Sequence, residues 1–95
     1  MIIIDITYKV SLEKVDQHLE AHVAWLKEQY ARGHFLASGP KIPRTGGVIL
    51  SQLTDVEALK AVLAQDPFQQ NGLAEYRLTE FEPRLTTEAL QGLLG

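Results

Sequence analysis

The chain has 95 residues, 45% hydrophobic and 22% charged, and nine Lys and Arg against twelve Asp and Glu leave a net charge of −3. That composition belongs to a folded protein and argues against disorder, the length suits one domain over residues 1–95, and the acidic balance argues against a nucleic-acid partner, which needs clustered Lys and Arg. No apolar run approaches the ~20 residues that cross a bilayer, so no membrane partner is expected, and the lack of Cys excludes a disulfide framework, a thiol nucleophile and a thiolate metal site.

The opening Met-Ile-Ile-Ile-Asp has no basic region and meets a charge at Asp5, so it reads as a strand and not as a signal peptide; a cytoplasmic location is the expectation. Residues 2–9 form that first strand, with Ile2, Ile3 and Ile4 followed by Ile6 and Tyr8 alternating with Thr7 and Lys9. Ser11 is a suitable N-cap for a helix over 12–32, whose apolar stripe is Leu12, Val15, Leu19, Val23, Leu26 and Tyr30, with Gly33 as the stop. Phe35 to Ala37 make a short second strand that ends at Ser38-Gly39-Pro40, and a loop with Pro43, Gly46 and Gly47 leads to a third strand over 48–53. Thr54-Asp55-Val56-Glu57 fits a capping box for a second helix, which must end near Gln65 because Pro67 disfavours helical backbone at Asp66. Phe68 to Gly72 is a turn or a short helical piece. A fourth strand over 73–82 follows, with a bulge expected at Glu80-Phe81, and a weak terminal helix over 86–94 closes the chain.

The order βαββαβ defines an α+β, ferredoxin-like unit with a four-stranded antiparallel sheet and two helices on one face, a core of about residues 1–83 and a C-terminal tail of 84–95. Strand one is apolar on both faces at Ile2 to Ile4, so the sheet needs cover on both sides. A second copy of the chain supplies it best, which predicts a homodimer and leaves higher assembly open. The other solution is a monomer whose terminal helix folds across the sheet.

Two residues stand out for chemistry. His22 lies on the edge of the apolar stripe, where packing alone favours an aliphatic side chain, and imidazole is the side chain suited to proton transfer near neutrality. A core histidine bonded to a backbone carbonyl is the competing reading. Asp66, before Pro67, is either a helix terminator or a carboxylate placed to orient an imidazole; side-by-side helices would bring it to His22. Ser38 and Gly39 at the end of strand two offer a hydroxyl and an open backbone to a ligand. No acid stands between Glu28 and Asp55, while Lys41 and Arg44 do, so this stretch suits a small anion or is a solvated loop. Trp25 is placed to wall a pocket or join an interface. His18 sits four before His22, but no third zinc ligand is nearby in sequence, and a solvent-facing side chain is expected. His34 is expected to cap the end of the first helix through its dipole. No phosphate-binding glycine loop, nucleophile elbow or acidic metal motif occurs, so no cofactor and no metal is expected.

Taken in order, His22-Val23-Ala24-Trp25-Leu26, Gly33-His34-Phe35-Leu36-Ala37-Ser38-Gly39-Pro40, Asp66-Pro67-Phe68, Gly72-Leu73 and Tyr76-Arg77-Leu78-Thr79-Glu80-Phe81 resemble the YciI-like (YCII-related) family from strand one to about Pro83. That resemblance implies a ferredoxin-like fold dimerising as an α+β barrel and a His-Asp dyad, which falls on His22 and Asp66. It also implies a cofactor-independent enzyme doing elimination, isomerisation or dehydrochlorination on a small aromatic or lactone-like ligand. Ser38, Gly39, Pro40, Lys41, Arg44, Trp25 and Phe68 are then the substrate-binding candidates. Related barrels include muconolactone isomerases and cofactor-free monooxygenases, and a non-catalytic binding module is the alternative on the same fold. The sequence departs from many relatives at Leu19, where an Arg precedes the His by three positions; if that Arg helps bind an anion, this chain either lacks that function or supplies the charge from Lys41 or Arg44. The tail from Thr86 lies outside the resemblance.

Overall fold

The structure is a computed structural model and describes residues 1–94; Gly95, the last residue of the expected tail, lies outside the described residues. The elements follow as β1 (Ile2–Tyr8), α1 (Leu12–Gln17), α2 (Leu19–Ala31), β2 (Phe35–Pro40), β3 (Gly46–Ser51), α3 (Val56–Leu63), α4 (Pro67–Gln70), β4 (Ala74–Glu80) and a terminal 3₁₀ helix (Glu88–Leu94). Alternation decides the faces of the central strand: Ile2, Ile4 and Ile6 are buried against the helices, and Ile3 and Thr7 are exposed on the other side. β3 and β4 flank β1 antiparallel, so Ile4 opposes Ile49 on one side and Leu78 on the other. With β2 beside β3, the order is β2-β3-β1-β4, the arrangement of an α+β ferredoxin-like sheet.

One glycine is fixed by close approach. A Cβ on Gly46 would lie 1.8 Å from the Ile6 carbonyl oxygen, so only a residue without a side chain lets β3 meet β1 at this register. Gly33 ends α2 in the left-handed region at φ 77°.

The main core joins β1 and β3 to Trp25, Phe35, Leu59 and Leu63, and a smaller cluster of Val15, Phe68 and Leu73 sits beside it. Burying each large apolar side chain contributes about 1.5–3 kcal/mol.

Several boundaries differ from the sequence expectation, each for a local reason. The single helix over 12–32 is two helices, broken at His18 (φ −113°), whose N–H turns to Asp16 and Val15 carbonyls. The break lets Val15 pack on Phe68 and Leu73, while α2 turns His22, Trp25 and Gln29 inward instead of Leu19, Val23 and Tyr30, which remain over a third exposed. β2 continues through Ser38-Gly39-Pro40, because it is an edge strand, where proline's missing donor faces no neighbour. The irregularity in the sheet falls at Phe35/Ala37, and β4 ends regularly at Glu80. The α3 cap is Asp55, which accepts from Glu57 and Ala58 N–H at 2.9 and 3.4 Å, in place of the expected Thr54 box.

The tail does not cover the sheet. No residue of the terminal 3₁₀ helix is buried, Leu85 and Leu90 stay exposed, and Ile3 and Val48 on the open face remain 36% and 40% exposed. The tail lies instead along Met1, Gln52 and Thr54 at one end of β1. No helix among the described residues is long and apolar enough to cross a membrane.

Candidate active site

Asp66 is the centre of the polar core. It precedes Pro67, which holds its backbone extended (φ −67°, ψ 123°) and makes it the N-cap of α4. Its side chain is completely buried. Oδ1 accepts the Phe68 N–H at 3.0 Å and meets His22 Nδ1 at 2.7 Å, and Oδ2 accepts the Tyr76 hydroxyl in a short bond. A buried carboxylate is tolerable only when its oxygens are satisfied in this way.

With two donors already on Asp66, its role toward His22 is also that of acceptor. His22 Nδ1 therefore donates to Oδ1, and the second ring nitrogen lies outside the pair. Among the described residues no protein group bonds to that second nitrogen. The ring plane is fixed too: His22 stacks on Phe68 with centroids 3.8 Å apart and planes 3° from parallel. Burial, followed by the charge and hydrogen bond of Asp66, pushes the Tyr76 hydroxyl far above the ordinary phenol range, so Tyr76 remains a donor.

His22 lines a cavity of about 300 Å³ between α2 and the β1–β3–β2 side of the sheet. Its walls are largely apolar, from Ile6, Leu19, Val23, Leu26 and Ile49, with Phe68 beside the imidazole. Ser38, Gly39, Pro40 and Arg44 line it too, with Tyr8, Gly47 and Val48. Ser38 Oγ accepts from Tyr30 at 2.6 Å, which leaves its own hydrogen free to point elsewhere. Arg44 reaches from the β2–β3 loop to Asp16 at 2.5 Å, and that hydrogen bond holds the Asp16 carboxyl below the usual carboxylate range. The volume is near the lower limit of small-molecule sites and fits a single-ring compound.

Two of the sequence candidates lie elsewhere. Trp25 is buried in the core against Phe35 and does not line the cavity; an indole on the inward face of α2 fills the space between helix and sheet. Lys41 pairs with Asp5 at 2.5 Å and donates to Thr7 at 3.3 Å. Those residues alternate with the buried isoleucines, so Lys41 serves the open face of the sheet. His18 is half-buried at the α1–α2 break, and His34 bonds Gln29 at 2.8 Å. Among the described residues no group of three or more His, Asp and Glu converges as metal ligands. A larger crevice of about 630 Å³ opens between the tail and the Met1 end of β1; its carboxylates, Glu80 and Glu82, lie on exposed positions of the chain, whereas the buried hydrogen-bonded His-Asp pair borders the smaller cavity.

Sequence reasoning missed Tyr76, Tyr30 and Asp16. For Tyr76 a signal existed: its alternation with Arg77 places it on the helix-facing side of β4, where a phenol needs a partner.

The family model of the YCII-related domain matches residues 1–82. Among solved structures, the chain is similar to 5-chloro-2-hydroxyhydroquinone dehydrochlorinase from Burkholderia phenoliruptrix AC1100, in complex with 2,5-dihydroxybenzoquinone, with a TM-score of 0.71 and 18% identity over 85% of this chain and 93% of that one. At that identity the likeness is one of fold. No curated protein matches the chain. The extent of the family match, on a fold of the same kind, establishes that the chain belongs to the YCII-related domain family.

Proposed function

We propose that this chain is a small cofactor-independent enzyme that uses His22 as general base and acid, oriented by Asp66, on a single-ring metabolite. The observation that carries the reading is the His22 imidazole itself: it lines a cavity, one nitrogen is bonded to a buried carboxylate, and among the described residues no protein group engages the other. In the proposed step the free nitrogen takes a proton from a C–H or O–H of the substrate. The electron pair so released forms a new π bond, and a leaving group such as chloride departs with the pair of its own breaking bond. In an isomerisation the same proton returns at another carbon. Such a base contributes on the order of 10² to 10⁴ in rate. Asp66 fixes the ring and favours the imidazolium that forms, and Ser38 with the Gly39 backbone holds a substrate oxygen. The solved neighbour, a dehydrochlorinase holding a dihydroxybenzoquinone, supports elimination chemistry on an oxygenated ring.

The proposal includes a homodimer formed through the open sheet face and a cytoplasmic location. Exposed Ile3, Val48 and Leu36 support the dimer, since an uncovered apolar face favours burial against another surface.

A second reading has its own observation. Asp66 caps α4 and holds Tyr76 of β4, so the pair with His22 also fastens helices to sheet, as a non-catalytic binding module would need. Turnover of chlorinated hydroxyhydroquinones and small lactones by wild type and by His22→Asn separates the two. The catalytic reading expects turnover by the wild type and loss of rate in a folded variant; binding of these compounds with no turnover by either protein supports the binding module.

A further inference from the structure

We propose that Arg44 is the anion-recognising group of the cavity and that its ligand is a flat, single-ring compound bearing a carboxylate or a similarly charged oxygen. This rests on the reading of the cavity as the ligand site and adds the class of ligand it takes.

Among the described residues, Arg44 is the one Lys or Arg side chain that lines the cavity, and no carboxylate lines it. The opposing wall is apolar, with Leu19, Val23 and Leu26 on α2. A ligand that fits there buries an apolar body and presents its charge at the Arg44 end. The guanidinium is not loose. Asp16 holds Nη2 at 2.5 Å, and the Arg44 side chain is only a third exposed. A guanidinium has five N–H donors in a fixed fork. One edge on Asp16 therefore leaves other donors to meet an anion, and the tether aims the fork in advance. An oriented donor loses less freedom when a ligand arrives.

Ser38 adds a second, neutral donor. Tyr30 donates to its oxygen, so the Ser38 hydrogen is available to another acceptor, and Ser38 lines the same cavity. The site thus offers oxygen-directed donors at one end, a stacked imidazole at another and hydrocarbon between. Lys41, the other cation of the acid-free stretch, is turned to the opposite face of the sheet and held by Asp5. It cannot substitute for Arg44 without leaving that pair.

The test uses 4-hydroxybenzoate and 4-hydroxybenzamide, which share shape and differ in charge. Dissociation constants are measured by NMR titration, following the His22 imidazole resonances, for the wild type, Arg44→Gln and Lys41→Gln. The wild type is expected to favour the carboxylate about tenfold, in keeping with a charge-assisted hydrogen bond. Arg44→Gln should bind both probes equally, and Lys41→Gln should keep the preference. Added salt should weaken the carboxylate alone. Equal binding of the two probes by the wild type, or a preference that survives Arg44→Gln, overturns the role of Arg44 while leaving the cavity as a ligand site. Failure of both probes to perturb His22 overturns that reading and the Arg44 assignment together.

Discussion

His22 Nδ1 and Asp66 Oδ1 are 2.7 Å apart, although the residues are 44 positions apart in the chain. The contact exists because α2 turns His22 inward after the break at His18 and because Pro67 fixes the backbone of Asp66 at the start of α4. Asp66 is completely buried, so the bond matters to the fold as well as to the chemistry.

Removing the imidazole should therefore destabilise the protein. His22→Ala leaves Asp66 Oδ1 with one donor fewer in a dry site, at a cost of about 1–3 kcal/mol. His22→Asn keeps an amide N–H in place of Nδ1 and should recover part of that loss. Urea unfolding of the three proteins measures it. An alanine variant as stable as the wild type would show that the pair contributes nothing to folding.

Tyr76 is expected to make stability fall in alkali. Its hydroxyl is held far above the ordinary phenol range, chiefly by burial and then by the charge and hydrogen bond of Asp66. The unfolded chain releases that proton near pH ~10 and the folded chain keeps it. Above that pH the unfolded state binds fewer protons, so the contribution is complete below pH ~10 and declines as pH rises past it. Unfolding free energies measured from about pH 9 to about pH 11 should fall more steeply for the wild type than for Tyr76→Phe. Parallel curves would refute the link.

Much of this arrangement was legible in the sequence, and what was not has a physical reason. The isoleucine alternation of β1, the Gly33 stop and the extended Asp66 before Pro67 are local effects, and local effects show in local sequence. The inward face of α2 was not legible. Its buried residues include His22 and Gln29, whose partners Asp66 and His34 satisfy them only once the chain has folded. The apolar stripe puts His22 only at its edge and leaves Gln29 out, and it points to Leu19 and Val23, which wall the cavity instead. Trp25 and Lys41 do not line the cavity, and neither periodicity nor charge shows in advance which way such a side chain turns.

Gly46 should tolerate no side chain. Gly46→Ala drives a methyl group into the Ile6 carbonyl, and separating β3 from β1 disrupts the central pairing of the sheet. A loss of more than about 3 kcal/mol, or failure to accumulate as folded protein, is the expected outcome. Circular dichroism and denaturant unfolding would detect it, and a variant with wild-type stability would contradict this register.

The open sheet face should govern assembly. Ile3 lies in β1 on the side away from the helices, with Thr79 and Leu50 opposite it in the neighbouring strands. Ile3→Lys places a charge there without touching the core and should give a folded monomer where the wild type sediments as a dimer. Sedimentation velocity reads this directly; an unchanged dimer would place the interface elsewhere.

The central claim is that His22 moves a proton for a ligand bound in the cavity. The most direct measurement is the turnover of chlorinated hydroxyhydroquinones and small lactones in D₂O, following chloride release and deuterium incorporation, by the wild type and by His22→Asn shown to be folded. The expected result is wild-type turnover of at least one compound and a rate about 10²-fold or more lower in His22→Asn. Equal rates in the two proteins, or no turnover by the wild type of a compound that binds against His22, would contradict it.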